Sequence, residues 1–306
     1  MTAHRAPAWL PGGHAQTVFP LLIKPPPPAY RRERWDTPDG DFIDADWCDG
    51  PAEAPLLVLF HGLEGSSRSH YAIATMNAAS RHGWAGVVPH FRGCSGELNR
   101  LPRAYHSGDS AEIDWILRAL RQRFPGRAIY VVGVSLGGNA LLKWLGEQGE
   151  AATTVIGKAA AVCPPLDLAA CGHHLARGLN RFYTRHFLRT LKAGAAARLR
   201  RFPGLFDGAR MARAGNLWQF DDAVTAPLHG FAGADDYWAR ASSKPWLPMI
   251  RVPTLLISPL NDPFLPRRAL PSPAQLSPVI RFETPADGGH VGFVAGPWPG
   301  RLDWLP

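Results

Sequence analysis

The sequence predicts an α/β fold in which a mostly parallel central sheet is covered by helices on both faces. Two observations lead to this class of fold. Short apolar runs rich in β-branched residues recur along the chain, as expected of strands that are buried on both sides. Amphipathic stretches of helical periodicity lie between several of these runs. Strands that alternate with helices form parallel sheets, because each helix carries the chain back to the start of the next strand.

The elements follow one another in a regular order. The first predicted strand, residues 41–48, alternates apolar and polar side chains and is therefore expected to be half-buried. The later apolar runs are continuous, so we expect these strands to be buried on both faces. Helices are predicted over 110–124 and 136–149, where apolar residues fall on one side. The continuous runs cover residues 55–60, 85–91, 128–134, 155–163, 253–258 and 279–283.

A chain of 306 residues with 46% hydrophobic residues can bury a large core, and we predict a single domain over 1–306. Residues 1–35 include four consecutive prolines and are predicted to form an arm packed on this domain. Residues 166–250 contain no strong strand pattern, which predicts an inserted helical lid. Within this lid, one helical stripe is predicted to carry Leu175, Leu179, Phe182, Phe187 and Leu191.

Positive charge is concentrated in the predicted lid. The formal net charge is +8, and residues 177–213 contain ten Lys or Arg and one acid. A solvated helix face is the simpler explanation, but such a surface also suits peripheral contact with an anionic membrane. No run of about 18 apolar residues is present, so a spanning helix is not expected. We expect no nucleic-acid partner.

The cysteines and the N-terminus indicate the compartment. The four cysteines have wide spacings that match no zinc or redox motif, and we expect free thiols in a reducing compartment. The N-terminal residues lack the apolar core of a secretory signal. We therefore expect a cytoplasmic protein that at most touches a membrane.

A serine lies between glycines at the end of one predicted strand, in the sequence GVSLGG at 133–138. A sharp turn from strand to helix strains the serine backbone and brings it close to its neighbours. Gly133 and Gly137 relieve that crowding. This is the G-x-S-x-G nucleophile elbow, and the predicted strand and helix on either side are the context that the motif requires. Ser135 is therefore the predicted nucleophile.

A serine hydroxyl needs a base that accepts its proton and an acid that orients the base. In this architecture the acid and then the histidine follow the serine along the chain. Among twelve histidines, only His290 lies far enough downstream to follow an acid after a late strand. Asp262, just after the run 253–258, is the predicted acid, and Asp167 is the alternative. Asp287 is expected to shape the histidine loop.

The reaction also needs N–H groups that stabilise a developing oxyanion. The Leu136 N–H directly follows the nucleophile, and the loop after the strand 55–60 offers the Leu63 N–H. Losing one such donor typically costs about 3 kcal/mol of barrier. His61 and Gly62 shape that loop, and the expected role of His61 is structural.

Together these stretches resemble the YheT-like branch of the α/β-hydrolases. The resemblance runs along nearly the whole chain, and several stretches are long enough to be specific. They include PAWLPGGHAQT at 7–17, FHGLEGSSRSHY at 60–71, HFRGCSGELNR at 90–100, GVSLGGNALLKWLGE at 133–147, FDDAVTAPLHGF at 220–231, PLNDPF at 259–264 and GGHVGF at 288–293.

The resemblance implies the α/β-hydrolase fold and a triad of Ser135, Asp262 and His290, with no cofactor and no metal. It also implies esterase-type chemistry on acyl esters, including lipid-like ones. The stretch GGHAQT is expected to line or brace the site, and His14 within it is a candidate pocket residue. The chain departs from the family pattern at its end, where three prolines in 296–306 argue against a closing helix.

The main hypothesis is a serine hydrolase that cleaves a small-molecule or lipid acyl ester through an acyl-enzyme. An acyltransferase to an alcohol or thiol would use the same triad, and a catalytically idle lipid-binding or membrane-surface protein is a third hypothesis. The lid aromatics are expected to line an apolar acyl pocket. They are Phe182, Phe187, Phe202, Phe206 and Trp218, with Tyr237 and Trp238 as candidates for its mouth.

Overall fold

The computed structural model describes residues 4–306 and contains one sheet of eight strands. The strands are β1 (Arg31–Asp36), β2 (Phe42–Cys48), β3 (Leu56–Phe60), β4 (Ala85–Pro89), β5 (Ile129–Val134), β6 (Lys158–Val162), β7 (Thr254–Ile257) and β8 (Ile280–Glu283). Their spatial order is β1-β2-β4-β3-β5-β6-β7-β8. The first two pairs, β1 with β2 and β2 with β4, are antiparallel, and all other neighbours are parallel. The predicted α/β class is therefore confirmed.

Helices connect the strands and cover the sheet. The α-helices are α1 (Gly13–Val18), α2 (His70–Arg81), α3 (Ser110–Arg123), α4 (Leu136–Gln148), α5 (Leu168–Leu175), α6 (Arg181–Arg201), α7 (Gly208–Arg213), α8 (Leu217–Phe220), α9 (Ala226–His229) and α10 (Ala234–Ala241). A π-helical turn, Asp221–Thr225, joins α8 to α9. The two helices predicted from periodicity, 110–124 and 136–149, correspond to α3 and α4 within one residue at their ends.

Strand β3 shows how the sheet divides two cores. Leu56, Val58 and Phe60 pack on the face that carries α3 and α4. Leu57 and Leu59 point to the opposite face, where α2 covers them. Burial of such a side chain contributes about 1.5–3 kcal/mol. The continuous apolar run at 55–60 is therefore explained by burial on both faces, as predicted.

Strand β2 departs from its predicted half-burial, because all seven of its residues are buried. Its carboxylates are covered by arginines of β1, which lie directly opposite them in the register. Arg34 binds Asp44 through two nitrogens at 2.8 and 2.9 Å, and Arg32 binds Asp46 in the same way at 2.7 and 2.9 Å. The polar face of β2 is thus buried as ion pairs rather than solvated.

The N-terminal segment is more regular than an extended arm. It contains α1, a 3-10 turn at Phe19–Leu21 and the edge strand β1. β1 was not predicted, because its sequence RRERWD has no apolar pattern. Between the turn and β1, the proline stretch contacts α2, where Asn77 Nδ2 donates to the Pro26 carbonyl at 3.1 Å.

Only helical elements lie between β6 and β7, and we refer to residues 168–249 as the helical insertion. The predicted helical stripe from Leu175 to Leu191 is wrong, because α5 ends at Leu175 and α6 begins at Arg181. Gly178 breaks the helix with a φ of 53°. The break rotates Leu179 and Phe182 out to solvent, where they are 64% and 67% exposed.

The chain after β8 contains no helix within the described residues, which agrees with the expectation for 296–306. Ala295 and Arg301 form a short antiparallel bridge there. Across residues 4–306, none of the helices has both the length and the apolar character needed to cross a bilayer. The four cysteines are free thiols, as expected.

Candidate active site

Ser135 occupies the sharp turn between β5 and α4. Its backbone lies at φ 52° and ψ −119°, a conformation that costs a non-glycine residue about 1–3 kcal/mol. A Cβ at position 133 would lie 2.6 Å from the Gly137 carbonyl oxygen, and one at position 137 would lie 2.5 Å from the His61 carbonyl oxygen. Only glycine fits at either place, so the crowding inferred from the sequence is present.

His290 lies between the serine and a carboxylate. Its Nε2 is 2.9 Å from the Ser135 Oγ, and its Nδ1 is 2.9 Å from Asp262 Oδ2. A carboxylate can only accept, so the proton of the neutral imidazole belongs on Nδ1 and Nε2 is free to accept from the serine. Asp262 is buried, and its Oδ1 accepts the Phe264 N–H at 2.7 Å. The structure therefore brings together the three residues predicted as a triad.

The loop that carries His290 is fixed by residues that sequence reasoning missed. Thr17, in α1, accepts the His290 N–H on its hydroxyl at 2.8 Å. Asn261 accepts the Gly289 N–H at 3.0 Å and donates to Asp287 at 3.0 Å, so Asp287 does shape the loop. Thr17 belongs to the stretch GGHAQT, so this stretch braces the site.

Phe264 and His14 connect the surroundings of His290 to α6. The Phe264 ring stacks on the His290 imidazole with centroids 4.0 Å apart. Tyr183 packs edge-on against Phe264 at 4.7 Å and is hydrogen-bonded to His14 Nδ1 at 3.0 Å. His14 therefore ties α1 to α6, and it is not among the residues that line the cavity beside Ser135.

The alternative acid, Asp167, performs another task. It is the N-cap of α5, and its carboxylate accepts the Ala170 N–H at 2.9 Å. Within residues 4–306 its side chain forms no hydrogen bond or ion pair with His290. The geometry therefore favours Asp262 over Asp167 as the partner of the histidine.

The two predicted oxyanion donors face the same cavity as Ser135. Leu63 and Leu136 both line this cavity. In the loop after β3, the N–H groups of Gly62, Glu64 and Gly65 donate at 2.8, 2.9 and 2.9 Å. The Leu63 N–H between them has no acceptor among the described residues, and neither has the Leu136 N–H at the start of α4. Two unpaired donors beside a serine are suited to a developing negative charge.

His61 is structural, as expected. It is fully buried, its Nδ1 lies 2.9 Å from the Gly62 carbonyl oxygen, and its Nε2 accepts the Phe91 N–H at 3.1 Å. Burial lowers the pKa of His61 to about 3, so the ring is neutral at physiological pH. It links the loop after β3 to the segment after β4, and both of its ring nitrogens are engaged in hydrogen bonds.

The cavity beside Ser135 has a volume of about 180 Å³ and is lined mostly by apolar side chains of the helical insertion. Of the five lid aromatics expected there, only Phe187 is among the lining residues, together with Tyr237 and Trp238. Phe206 instead packs between α6 and α7. The other apolar lining residues include Leu175, Leu191, Leu217, Phe220, Val224 and Phe264.

One group of possible metal ligands occurs within residues 4–306. It consists of Cys163, Asp262 and His290, with ligand atoms within 4.8 Å of one another. Burial raises the pKa of the Cys163 thiol well above its usual value, so the thiol stays protonated and is a poor ligand. Asp262 and His290 already bind each other, and the Cys163 sulfur accepts the Val291 N–H at 3.3 Å. We therefore assign the group to the acid–histidine pair rather than to an ion.

These features define a class of protein. The chain matches the family described as alpha/beta hydrolase fold over residues 55–297, and it belongs to that family. It is 42% identical over 305 residues to "Putative esterase YheT" of Escherichia coli, which covers 95% of this chain and 87% of that protein. The resemblance to the YheT-like branch is therefore confirmed.

More distant relatives share the fold. The chain is 29% identical over 308 residues to the Phospholipase ABHD3 of Mus musculus, over 97% of this chain and 74% of that protein. The structure of the Pyrococcus furiosus esterase Pf2001 superimposes with a TM-score of 0.55 at 15% identity, over 86% of this chain and 84% of the other. That structural similarity shows the fold alone. The protein is thus an α/β hydrolase with relatives named as an esterase and a phospholipase.

Proposed function

We propose that the protein is a serine hydrolase that cleaves carboxylic esters through an acyl-enzyme. The observation that carries this proposal is the continuous hydrogen-bonded series from Asp262 through His290 to Ser135. A serine alone is a weak nucleophile, and a base held by a buried carboxylate is what activates it. The relatives named as an esterase and a phospholipase support the same reaction class.

In the first half-reaction, the Ser135 Oγ attacks the ester carbonyl carbon while His290 Nε2 takes the hydroxyl proton. The carbonyl oxygen becomes negative and lies against the N–H groups of Leu63 and Leu136. Asp262 stabilises the charged imidazole and keeps it oriented. When the intermediate collapses, the carbon–oxygen bond to the alcohol breaks and His290 gives its proton to the leaving alkoxide. The acyl group then remains on Ser135.

In the second half-reaction, a water molecule takes the place of the alcohol. His290 removes a proton from this water as its oxygen attacks the acyl carbon, and the same N–H groups hold the oxyanion. Collapse breaks the bond to Ser135, which recovers its proton from His290, and the carboxylic acid is released. An alcohol or thiol in place of water would give acyl transfer, so the two reactions differ only in the acceptor.

The substrate class follows from the cavity. Its apolar lining suits an apolar or lipid-like acyl chain, because burial of a methylene group contributes about 0.8 kcal/mol. We propose that residues 166–250 act as the lid of this cavity, since α5, α6 and the π-helical turn supply much of its wall. Four free thiols support a reducing compartment such as the cytoplasm.

The test is a panel of neutral p-nitrophenyl esters of increasing acyl length. The Ser135→Ala variant should lose about 10⁶-fold in kcat on every ester that the wild type hydrolyses. Ser107→Ala is the matched control, since Ser107 is the other serine that lines the cavity. The kcat of this variant should stay within a few-fold of the wild-type value. Equal losses in the two variants, or full activity in Ser135→Ala, would contradict the proposal. Product analysis with water and an alcohol in competition separates hydrolysis from acyl transfer.

A further inference from the structure

A buried arginine without a partner lies in the wall of the apolar cavity. Arg198 is on the cavity side of α6 and is only 7% exposed. Its guanidinium forms no hydrogen bond and no ion pair with any side chain or carbonyl of residues 4–306. Charged groups are rarely buried without a counter-ion, because removing a charge from water is costly unless a partner of opposite charge compensates for the lost hydration. The absence of a partner therefore points to one that arrives with a ligand.

The other arginine that lines the cavity is fully paired with carboxylates. Arg92 also lines the cavity, and its guanidinium binds Glu112, Asp39 and Asp41 at 2.6, 2.9 and 3.0 Å. Asp41 is thereby occupied and cannot serve Arg198.

The remaining acid near Arg198 is occupied as well. Glu64 accepts the Tyr105 hydroxyl at 2.8 Å and lies outside ion-pair distance of the Arg198 guanidinium. Burial lowers the pKa of Arg198, but an arginine remains charged at physiological pH all the same. The cavity thus holds one positive charge that the protein does not neutralise by contact.

A second polar group without a partner lines the same cavity. The buried Nε2 of His229 has no hydrogen-bond partner among the described residues, and its ring lies 4.6 Å from that of His106. Burial lowers the pKa of His229 to about 3, and the charges of His106 and Arg198 act in the same direction. Arg198 and His229 are therefore two polar residues of a mostly apolar cavity that lack a hydrogen-bond partner among the described residues.

We propose that Arg198 binds an anionic group, a phosphate or a carboxylate, that is carried by the acyl-ester substrate. The substrate class is then an amphiphilic ester, with its apolar part against the leucine and phenylalanine lining and its anion against the guanidinium. Arginine suits this task, because its planar fork matches both anions with two parallel hydrogen bonds. The proposal rests on the proposed ester hydrolysis and names its substrate.

The test measures binding and turnover separately. Calorimetric titration of Ser135→Ala protein with octyl phosphate, octanoate and 1-octanol should give at least about 10-fold tighter binding of one or both anions than of the alcohol. Adding Arg198→Gln should weaken anion binding about 10- to 100-fold and leave octanol affinity nearly unchanged. Arg198→Lys should restore part of the loss. Arg200→Gln is the control, since Arg200 is exposed on the same helix.

Each outcome of these titrations either supports or overturns the proposed anion binding. Tighter phosphate than octanoate binding identifies a phosphate-bearing ester, and the reverse order identifies a carboxylate-bearing one. Equal affinity for the anions and octanol in the Ser135→Ala protein overturns the proposal. So does a parallel loss of anion and octanol binding in Arg198→Gln, which would mean a collapsed cavity wall. If neutral esters are hydrolysed while the anions bind no better than octanol, only the anion proposal fails. If anions bind and no ester reacts, the proposed hydrolysis fails instead.

A separate observation concerns the outer surface of the same helix. Arg177, Arg181, Arg185 and Arg189 are exposed on or just before α6, and none of them makes an ion pair or side-chain hydrogen bond with residues 4–306. No acidic residue occurs in α6. Phe182 and Leu179 project into solvent beside them. Basic residues with exposed apolar side chains between them are the composition of surfaces that lie on anionic membranes.

We infer that this surface docks on an anionic phospholipid bilayer. Other residues of α6, including Phe187 and Leu191, line the cavity, so docking would bring this part of the helical insertion to the lipid. Each arginine near such a bilayer contributes about a factor of five in affinity. Co-sedimentation is measured with two kinds of vesicle, one of phosphatidylcholine alone and one of phosphatidylcholine with about 30% phosphatidylglycerol. Both are used at about physiological salt, where screening of surface charges is realistic.

The wild type should bind only the anionic vesicles, and less as salt rises. Replacing Arg181, Arg185 and Arg189 with Gln should reduce binding about 10- to 100-fold. The charge-matched control replaces the exposed Arg5, Arg68 and Arg267 instead and should retain most of the binding. Equal binding to both vesicle types, no binding at all, or an equal loss in the control would overturn the inference.

Discussion

At the scale of single residues, the proposed chemistry depends on how firmly His290 is held between a serine and an acid. Asp262 fixes one ring nitrogen, Phe264 covers the ring face, and Thr17 holds the backbone N–H. Each contact removes a freedom that the imidazole would otherwise have, and a misplaced base loses most of its effect. The role of the acid is therefore orientation as much as charge.

The two candidate acids give a direct comparison. Asp262→Asn should reduce kcat about 10⁴-fold, because the amide would favour the wrong imidazole tautomer. Asp167→Asn should leave kcat within a few-fold, since Asp167 caps α5 and asparagine also caps well. Ester hydrolysis by purified variants of equal thermal stability measures both. A larger loss in Asp167→Asn than in Asp262→Asn would reverse the assignment.

Sequence reasoning predicted Ser135, Asp262 and His290, which the structure brings together, and it expected the stretch GGHAQT to line or brace the site. It did not single out Thr17 or Asn261, the two residues that hold the His290 loop. Ser135, Asp262 and His290 each follow the end of a predicted strand, and the order of the residue types carries a chemical signal. Thr17 and Asn261 carry no such signal. The Thr17 contact spans 273 positions of the chain, and no periodicity or local motif reveals a contact of that range.

At the scale of elements, the elbow is the feature most tightly constrained by packing. β5 turns into α4 so closely that a Cβ at Gly133 would overlap the Gly137 carbonyl, and the loop after β3 lies so near the first turn of α4 that a Cβ at Gly137 would overlap the His61 carbonyl. The same close packing places Leu136 and Leu63 in the wall of the cavity beside Ser135. Strain at Ser135 is therefore the cost of presenting its hydroxyl with two donors nearby.

A pair of glycine substitutions tests this constraint. Gly137→Ala should lower the free energy of unfolding by about 1–3 kcal/mol and abolish most activity, because its Cβ would overlap the His61 carbonyl. Gly194→Ala, in α6, has nothing within 4 Å of the added Cβ and should stabilise by up to about 1 kcal/mol. Urea denaturation measures both. A Gly137→Ala protein of wild-type stability would show that the elbow is looser than described.

The helical insertion was harder to predict than the sheet. The continuous apolar runs of β3 and β4 reflect burial on both faces, which composition alone reveals. The same expectation is wrong for β8, because it lies at the edge of the sheet and only its Ile280 is buried. The stripe predicted from Leu175 to Leu191 took no account of Gly178, whose positive φ turns the chain between α5 and α6. Phe182, one of the expected pocket aromatics, consequently lies in solvent, because a shift in helix phase moves every side chain around the axis.

At the scale of the whole molecule, the sheet and the helical insertion have different tasks. The segments after the carboxyl ends of β5, β7 and β8 carry Ser135, Asp262 and His290, the proposed triad, while the insertion supplies much of the apolar wall of the cavity. The general architecture was predictable from the alternation of strand and helix patterns along the sequence. The edge pair β1–β2 was not, because its stability comes from arginine–aspartate pairs across the register, which a hydrophobic pattern does not show.

Buried titratable groups should make the molecule less stable in acid. Burial lowers the pKa values of His61 and His229 to about 3 and that of His70 to about 4. Between pH 6.5 and 5 these histidines take up protons only on unfolding, so stability rises with pH there. Burial of Asp221 and Glu112 raises their pKa values to about 6 and about 7 and opposes this.

Burial also lowers the pKa values of His4 and His106, so five histidines act against two carboxyl groups and at least about one proton is taken up on unfolding. The free energy of unfolding should therefore fall by about 1–2 kcal/mol per pH unit on acidification from pH 6.5 to 5. Urea denaturation at a series of pH values gives this slope. A stability that is flat or rises over this range would mean that the histidines are not held neutral.

The most direct test of the central claim is covalent labelling of the folded protein with a fluorophosphonate, read by mass spectrometry of the intact chain and its peptides. We predict one adduct, on the peptide that contains Ser135, no adduct in Ser135→Ala, and much slower labelling in His290→Ala. An adduct on another serine, or an unlabelled wild-type protein whose circular dichroism shows a native fold, would contradict the assignment of Ser135 as an activated nucleophile.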